Sequence, residues 1–163
     1  MMGLTGEALD VANDITKRWP KVKITSGRRT IAEQALAMAK NIDKDRTRLR
    51  KLSPHLSERP SKWIAQTYSG GRIVDECQDW VDRHPNAPVE AMATRFATIM
   101  AMFPPEELRR MSRHLTGEAL DVAPMSGAEG EEVINALKDW AFRKAGKFLT
   151  REGALVVWHW QAK

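Results

Sequence analysis

A histidine and a carboxylate stand seven residues apart around a glycine in the stretch Ser112-Arg113-His114-Leu115-Thr116-Gly117-Glu118-Ala119-Leu120-Asp121. In an unbroken helix His114 and Asp121 would lie about 10 Å apart on one face, as ordinary surface groups. Gly117 and the later Pro124 interrupt a helix, while Ala119-Leu120-Asp121-Val122 alternates as a short strand. A turn at Gly117 therefore has the means to fold His114 back beside Asp121. A third donor, His159, stands in Val156-Val157-Trp158-His159-Trp160-Gln161, a run of β-branched and aromatic residues that reads as a strand. Two imidazoles and one carboxylate hold a tetrahedral zinc with its fourth position open, the arrangement that catalysis by zinc requires. In a strand, Trp158 and Trp160 point away from the face that carries His159 and bury that strand against helices.

The elements that must position these groups are legible in outline. Ala8, Val11, Ala12, Ile15 and Trp19 recur at helical spacing across Glu7 to Trp19, and Pro20 stops the helix. Val22 to Thr25 alternates as a strand, Ser26-Gly27 turns, and Thr30 is placed to cap a second helix through Ala39. Residues 62 to 103 read as two or three helices punctuated by Ser69-Gly70-Gly71 and by His84-Pro85-Asn86-Ala87-Pro88. A short helix from Glu106 to Arg110 precedes the histidine motif. A longer amphipathic helix follows from Glu129 to Lys144, with Val133, Leu137 and Trp140 on one face. Lys147 to Thr150 and Ala154 to Gln161 are spaced to pair as a terminal hairpin.

The segment Ser112 to Asp121 resembles the Ser-x-His-x-x-Gly-x-Ala-x-Asp motif of the zinc D-Ala-D-Ala peptidases and the phage L-alanyl-D-glutamate endolysins, and matches it at every defining position. Ser26-Gly27-Arg28-Arg29-Thr30, followed by Gln34, is similar to the family's Ser-Gly-Tyr-Arg-Ser/Thr segment, with Arg28 in the place of the tyrosine. His159-Trp160-Gln161 is similar to its closing His-Phe-Gln/Glu. The resemblance implies a zinc held by His114, Asp121 and His159, Arg29 facing the substrate as a catalytic and binding group, Ser112 also at the substrate, and cleavage of peptidoglycan peptides. It covers residues 1 to 40 and 110 to 163. Two departures stand out. Where many members carry a general-base Glu three positions before the last histidine, this chain has Val156, and the distance from Arg29 to His114 is long for the endolysin branch. Glu152 is the nearest acid in sequence, yet seven extended residues would set it about 23 Å from His159. It serves as the base only if the turn folds back sharply.

The expected architecture is one α+β domain over residues 1 to 163. A small antiparallel sheet bears the zinc site, helices surround it, and a basic helical insertion occupies about 41 to 110. The expected function is a zinc-dependent peptidoglycan peptidase. The alternative, favoured by Val156, is a non-catalytic phage structural protein that binds wall or nucleic acid on a degenerate peptidase scaffold.

Charge is concentrated. Lys40 to Lys62 carries eight basic and three acidic residues, a local +5 that equals the excess of the whole chain. The run Arg46-Thr47-Arg48-Leu49-Arg50-Lys51 is either a solvated face or an attractor of an anionic polymer, wall or nucleic acid. The lone Cys77 excludes an internal disulfide and suits a reducing cytoplasm. No apolar stretch is long enough to span a bilayer, and no cleavable signal is visible at the start. The expectation is a monomer made in the cytoplasm, acting on the cell wall after release or carried in a virion. Finally, Leu4 to Ala12 reappears letter for letter as Leu115 to Ala123, with Gly3 where the second copy has His114.

Overall fold

The computed structural model describes residues 3–52, 60–68, 71–151 and 156–163. Its class is α+β, seven helices and a four-stranded antiparallel sheet among the described residues. Contacts divide the chain into two units, residues 1–29 with 113–163, and residues 30–112.

The first unit holds α1 (Gly6–Arg18), β1 (Ile24–Ser26), a 3-10 turn (Arg113–Thr116), β2 (Ala119–Val122), α7 (Gly127–Arg143), β3 (Lys147–Leu149) and β4 (Trp158–Gln161). The strand order is β1-β2-β4-β3, every neighbour antiparallel. Because successive side chains of a strand point to opposite faces, β2 sends Leu120 and Val122 one way and Asp121 the other. In β4, Trp158 and Trp160 go one way and His159 and Gln161 the other. The apolar set joins Ala8, Val11, Ala12 and Ile15 of α1 and Val133 and Leu137 of α7 in one buried core. Two indole N–H groups tie the helices together: Trp19 donates to Glu132 (3.0 Å) and Trp140 to Asp14 (2.8 Å).

The identical nonapeptides adopt different structures. In the first copy Ala8, Val11 and Ala12 are buried at helical spacing and Asp10 is exposed. In the second, β2 is paired on both sides and Asp121 is buried. The letters Ala-Leu-Asp-Val-Ala satisfy both periods, so the flanking partners decide. The copies also touch, since the Thr5 N–H donates to the Gly117 carbonyl and the Thr5 hydroxyl to the Thr116 carbonyl. Gly117 takes φ +78°, and a Cβ there would meet the Gly3 carbonyl oxygen at 2.5 Å.

The second unit is helical: α2 (Ile31–Leu52), α3 (Trp63–Thr67), α4 (Arg72–Arg83), α5 (Val89–Ala101) and α6 (Pro105–Met111). Thr30 caps α2 as expected, in a capping box where the Glu33 N–H donates to the Thr30 hydroxyl and the Thr30 N–H donates to the Glu33 carboxylate. The helix does not end at Ala39 but runs to Leu52. Its buried stripe, Gln34, Ala35, Met38, Ala39 and Ile42, continues through Asp45 and Arg46, two charged residues that apolar periodicity does not count. Asp45 accepts from Ser61 and Arg48, and Arg46 donates to the carbonyls of Ala87 and His84. Arg46 is thus a buried tie to the loop before α5 rather than part of an exposed cationic run. The exposed basic residues of α2 are Lys40, Lys44, Arg48, Arg50 and Lys51.

Cys77 lies wholly buried in α4, and burial, reinforced by Glu76 and opposed by Arg95, pushes its thiol up to about 12. An unfolded thiol ionises near 8.5, so this group contributes stability below that pH and loses it as pH rises toward the folded value. At pH 8 iodoacetamide should leave native Cys77 unlabelled and label it fully in denaturant; labelling of native protein at the rate of a free thiol would contradict this burial.

Candidate metal centre

The cross-strand register brings the chemistry together. Asp121 of β2 lies directly opposite His159 of β4 and Ser26 of β1. The 3-10 turn that follows α6, closed by Gly117, folds His114 onto the same face. The three side chains are buried, and one donor atom from each falls within 4.8 Å of the others. His114 Nε2 is 3.3 Å and His159 Nδ1 is 2.9 Å from the same oxygen, Asp121 Oδ1.

Each ring has an acceptor behind it. His114 Nδ1 is 2.8 Å from the Gly27 carbonyl oxygen, which can only accept, so Nδ1 carries the hydrogen. His159 has an acceptor at each nitrogen, Asp121 Oδ1 at 2.9 Å from Nδ1 and Gln161 Oε1 at 3.0 Å from Nε2; a metal bound through Nδ1 would leave the hydrogen on Nε2, facing Gln161. The inner nitrogens, His114 Nε2 and His159 Nδ1, both face Asp121 Oδ1. With neutral rings whose hydrogens point outward, they and the carboxylate oxygen would offer three lone pairs to one cation. His114 Nε2 is buried without a hydrogen-bond partner, an orphan that a metal would satisfy. Ligand bonds of about 2.0 Å to a tetrahedral metal set donor separations near 3.3 Å. The contact of His114 with Asp121 already has that spacing, the 2.9 Å contact of His159 needs to open by a few tenths of an ångström, and the two imidazole nitrogens, within 4.8 Å of each other, would draw together toward it. The group can hold a metal ion.

Without a metal the same contacts are those of donating imidazoles: burial acts to raise the Asp121 carboxyl, but hydrogen bonds from His114 and His159, with their charge, outweigh it and lower the group well below the usual carboxylate range. Arg29 adds a cation: its Nη2 donates to Asp121 Oδ2 at 2.7 Å, and its Nε donates to Ser26 Oγ at 2.8 Å. Sequence reasoning placed Arg29 toward a substrate; in the fold its guanidinium reaches the ligand carboxylate itself.

Comparison with protein-family models, with curated proteins and with solved structures finds no match for this chain. The site therefore stands on its own residues. Ser112, 7% exposed, ends α6 with its N–H on the Leu108 carbonyl. Val156 is 60% exposed, just before β4, and offers no proton acceptor. Glu152 and the connection at 152–155 lie outside the described residues. Sequence reasoning assigned no role to Ser26, to the Gly27 carbonyl or to Gln161. The signal for Gln161 was its place two residues after His159 on the same strand face, while a backbone carbonyl leaves no mark in residue type.

Purified protein should bind one divalent metal per chain, and His114→Ala should largely abolish that binding in equilibrium dialysis. Full stoichiometry in the variant would place the metal elsewhere.

Proposed function

We propose that this protein is a zinc-dependent peptidase acting on peptidoglycan peptides. The observation that carries the reading is the buried group of His114, Asp121 and His159, with an acceptor behind each imidazole. Imidazole and carboxylate donors suit zinc, and three protein ligands leave a position for substrate or water. The resemblance of three motifs in order, around Arg29, His114 and His159, adds the substrate class.

Zinc held there supplies a Lewis acid for the scissile carbonyl and acidifies water. The protein's own residues supply the rest. Leu120, Val122, Trp158 and Trp160 close the back of the sheet against the core. Arg29 compensates part of the Asp121 charge. Hydrolysis further needs a group that takes a proton from water and passes it to the leaving amine. Val156 cannot do this, and a carboxylate from the 152–155 connection, Glu152, is the candidate for that role.

Val156 also favours a second reading, in which the scaffold binds wall or nucleic acid without cleaving it. In either reading the exposed cations of α2, Lys40, Lys44, Arg48, Arg50 and Lys51, attract an anionic polymer.

The two readings part on one assay. Zinc-loaded protein should release new amino termini from purified peptidoglycan. Chelation should stop the release and added zinc, rather than iron, should restore it. Metal-bound protein that sediments with peptidoglycan but releases no amino termini would favour the binding scaffold.

A further inference from the structure

The turn from Ser26 to Arg29 touches two of the three ligands, and does so in three ways. The Gly27 carbonyl accepts from His114 Nδ1, the Arg29 backbone N–H donates to the His114 carbonyl at 2.8 Å, and the Arg29 side chain holds Asp121. The side-chain contact is the informative one. A guanidinium beside a site for a divalent cation is electrostatically unfavourable, so its presence needs a compensating role. Asp121 has two carboxylate oxygens and a side chain only 5% exposed. Oδ1 faces the imidazoles. Oδ2, left alone in that burial, would either stay unsatisfied at a cost or swing round to share the metal.

We propose that Arg29 is a positioning residue of the metal centre. Its guanidinium, anchored by Ser26, occupies Oδ2 of Asp121 so that the carboxylate presents a single oxygen, Oδ1, to the metal. The geometry is that of a strut. Ser26 lies opposite Asp121 in the β1–β2 register, its hydroxyl fixes Nε, and the planar guanidinium then directs Nη2 at Oδ2. One-oxygen ligation keeps the coordination number low and leaves a position for an incoming group. With a divalent metal, two neutral imidazoles, Asp121 and Arg29, the centre carries a formal +2 rather than +1, which favours an anionic incoming group. This proposal rests on the metal reading but not on the peptidase reading.

The test uses cobalt(II) added to the metal-free chain of residues 1–163, followed by visible absorption, which reports coordination number as well as affinity. Arg29→Lys keeps the charge but loses the fork, so any change reflects orientation of Asp121 rather than repulsion. It should weaken cobalt binding about tenfold, as loss of an outer-shell partner does, and reduce the intensity of the cobalt bands as Asp121 turns to ligate through both oxygens. Ser26→Ala, which leaves every charge in place, should shift both readouts in the same direction by less, and decides the matter if Arg29→Lys does not fold. Wild-type affinity and wild-type bands in the variants would overturn the proposal and return Arg29 to the substrate. A wild-type chain that gives no cobalt bands would overturn the metal reading, and this proposal with it.

Discussion

The structure depends on one buried negative charge. Asp121 sits in the central strand pair with its side chain 5% exposed, and a carboxylate so placed is tolerated only when its charge is met and its oxygens are bonded. Everything around it answers that demand. β4 supplies His159 in register, the turn at Gly117 returns His114, and the turn after β1 delivers Arg29. Removing any one partner leaves a buried polar group without its bond, which is why the same few residues fix both the local fold and the chemistry.

The sheet separates that polar group from the core by the simplest device available to a strand. Alternation places Leu120, Val122, Trp158 and Trp160 against α1 and α7, and Asp121, His159 and Gln161 on the opposite face. A one-residue slip of β4 would bury His159 in the core and turn two tryptophans onto the site, so the hydrophobic face holds His159 in register with Asp121. The apolar packing thereby determines the distance between ligands that are 38 residues apart in the chain.

Much of this was legible beforehand, for identifiable reasons. The metal donors are rare residue types in strand-like or turn-like settings, and alternation around His159 told which neighbours would be core. The helix from Gly6 and the helix from Gly127 follow apolar period alone. What was hidden is equally instructive. The extension of α2 to Leu52 rests on Asp45 and Arg46, whose burial depends on a serine and two carbonyls distant in sequence. The partner of Arg29 is Asp121, ninety-two residues away, which local spacing cannot indicate, and the family resemblance pointed instead to a substrate. The duplicated nonapeptide shows the same limit from the other side, since a single sequence forms part of α1 in one context and β2 in the other.

The central claim is that His114, Asp121 and His159 share one metal ion. Anomalous diffraction at the zinc edge, from crystals of zinc-loaded protein, tests it most directly. The account predicts one strong peak about 2 Å from His114 Nε2, Asp121 Oδ1 and His159 Nδ1. A peak elsewhere with these three atoms still in mutual contact, or no peak at all, would contradict it.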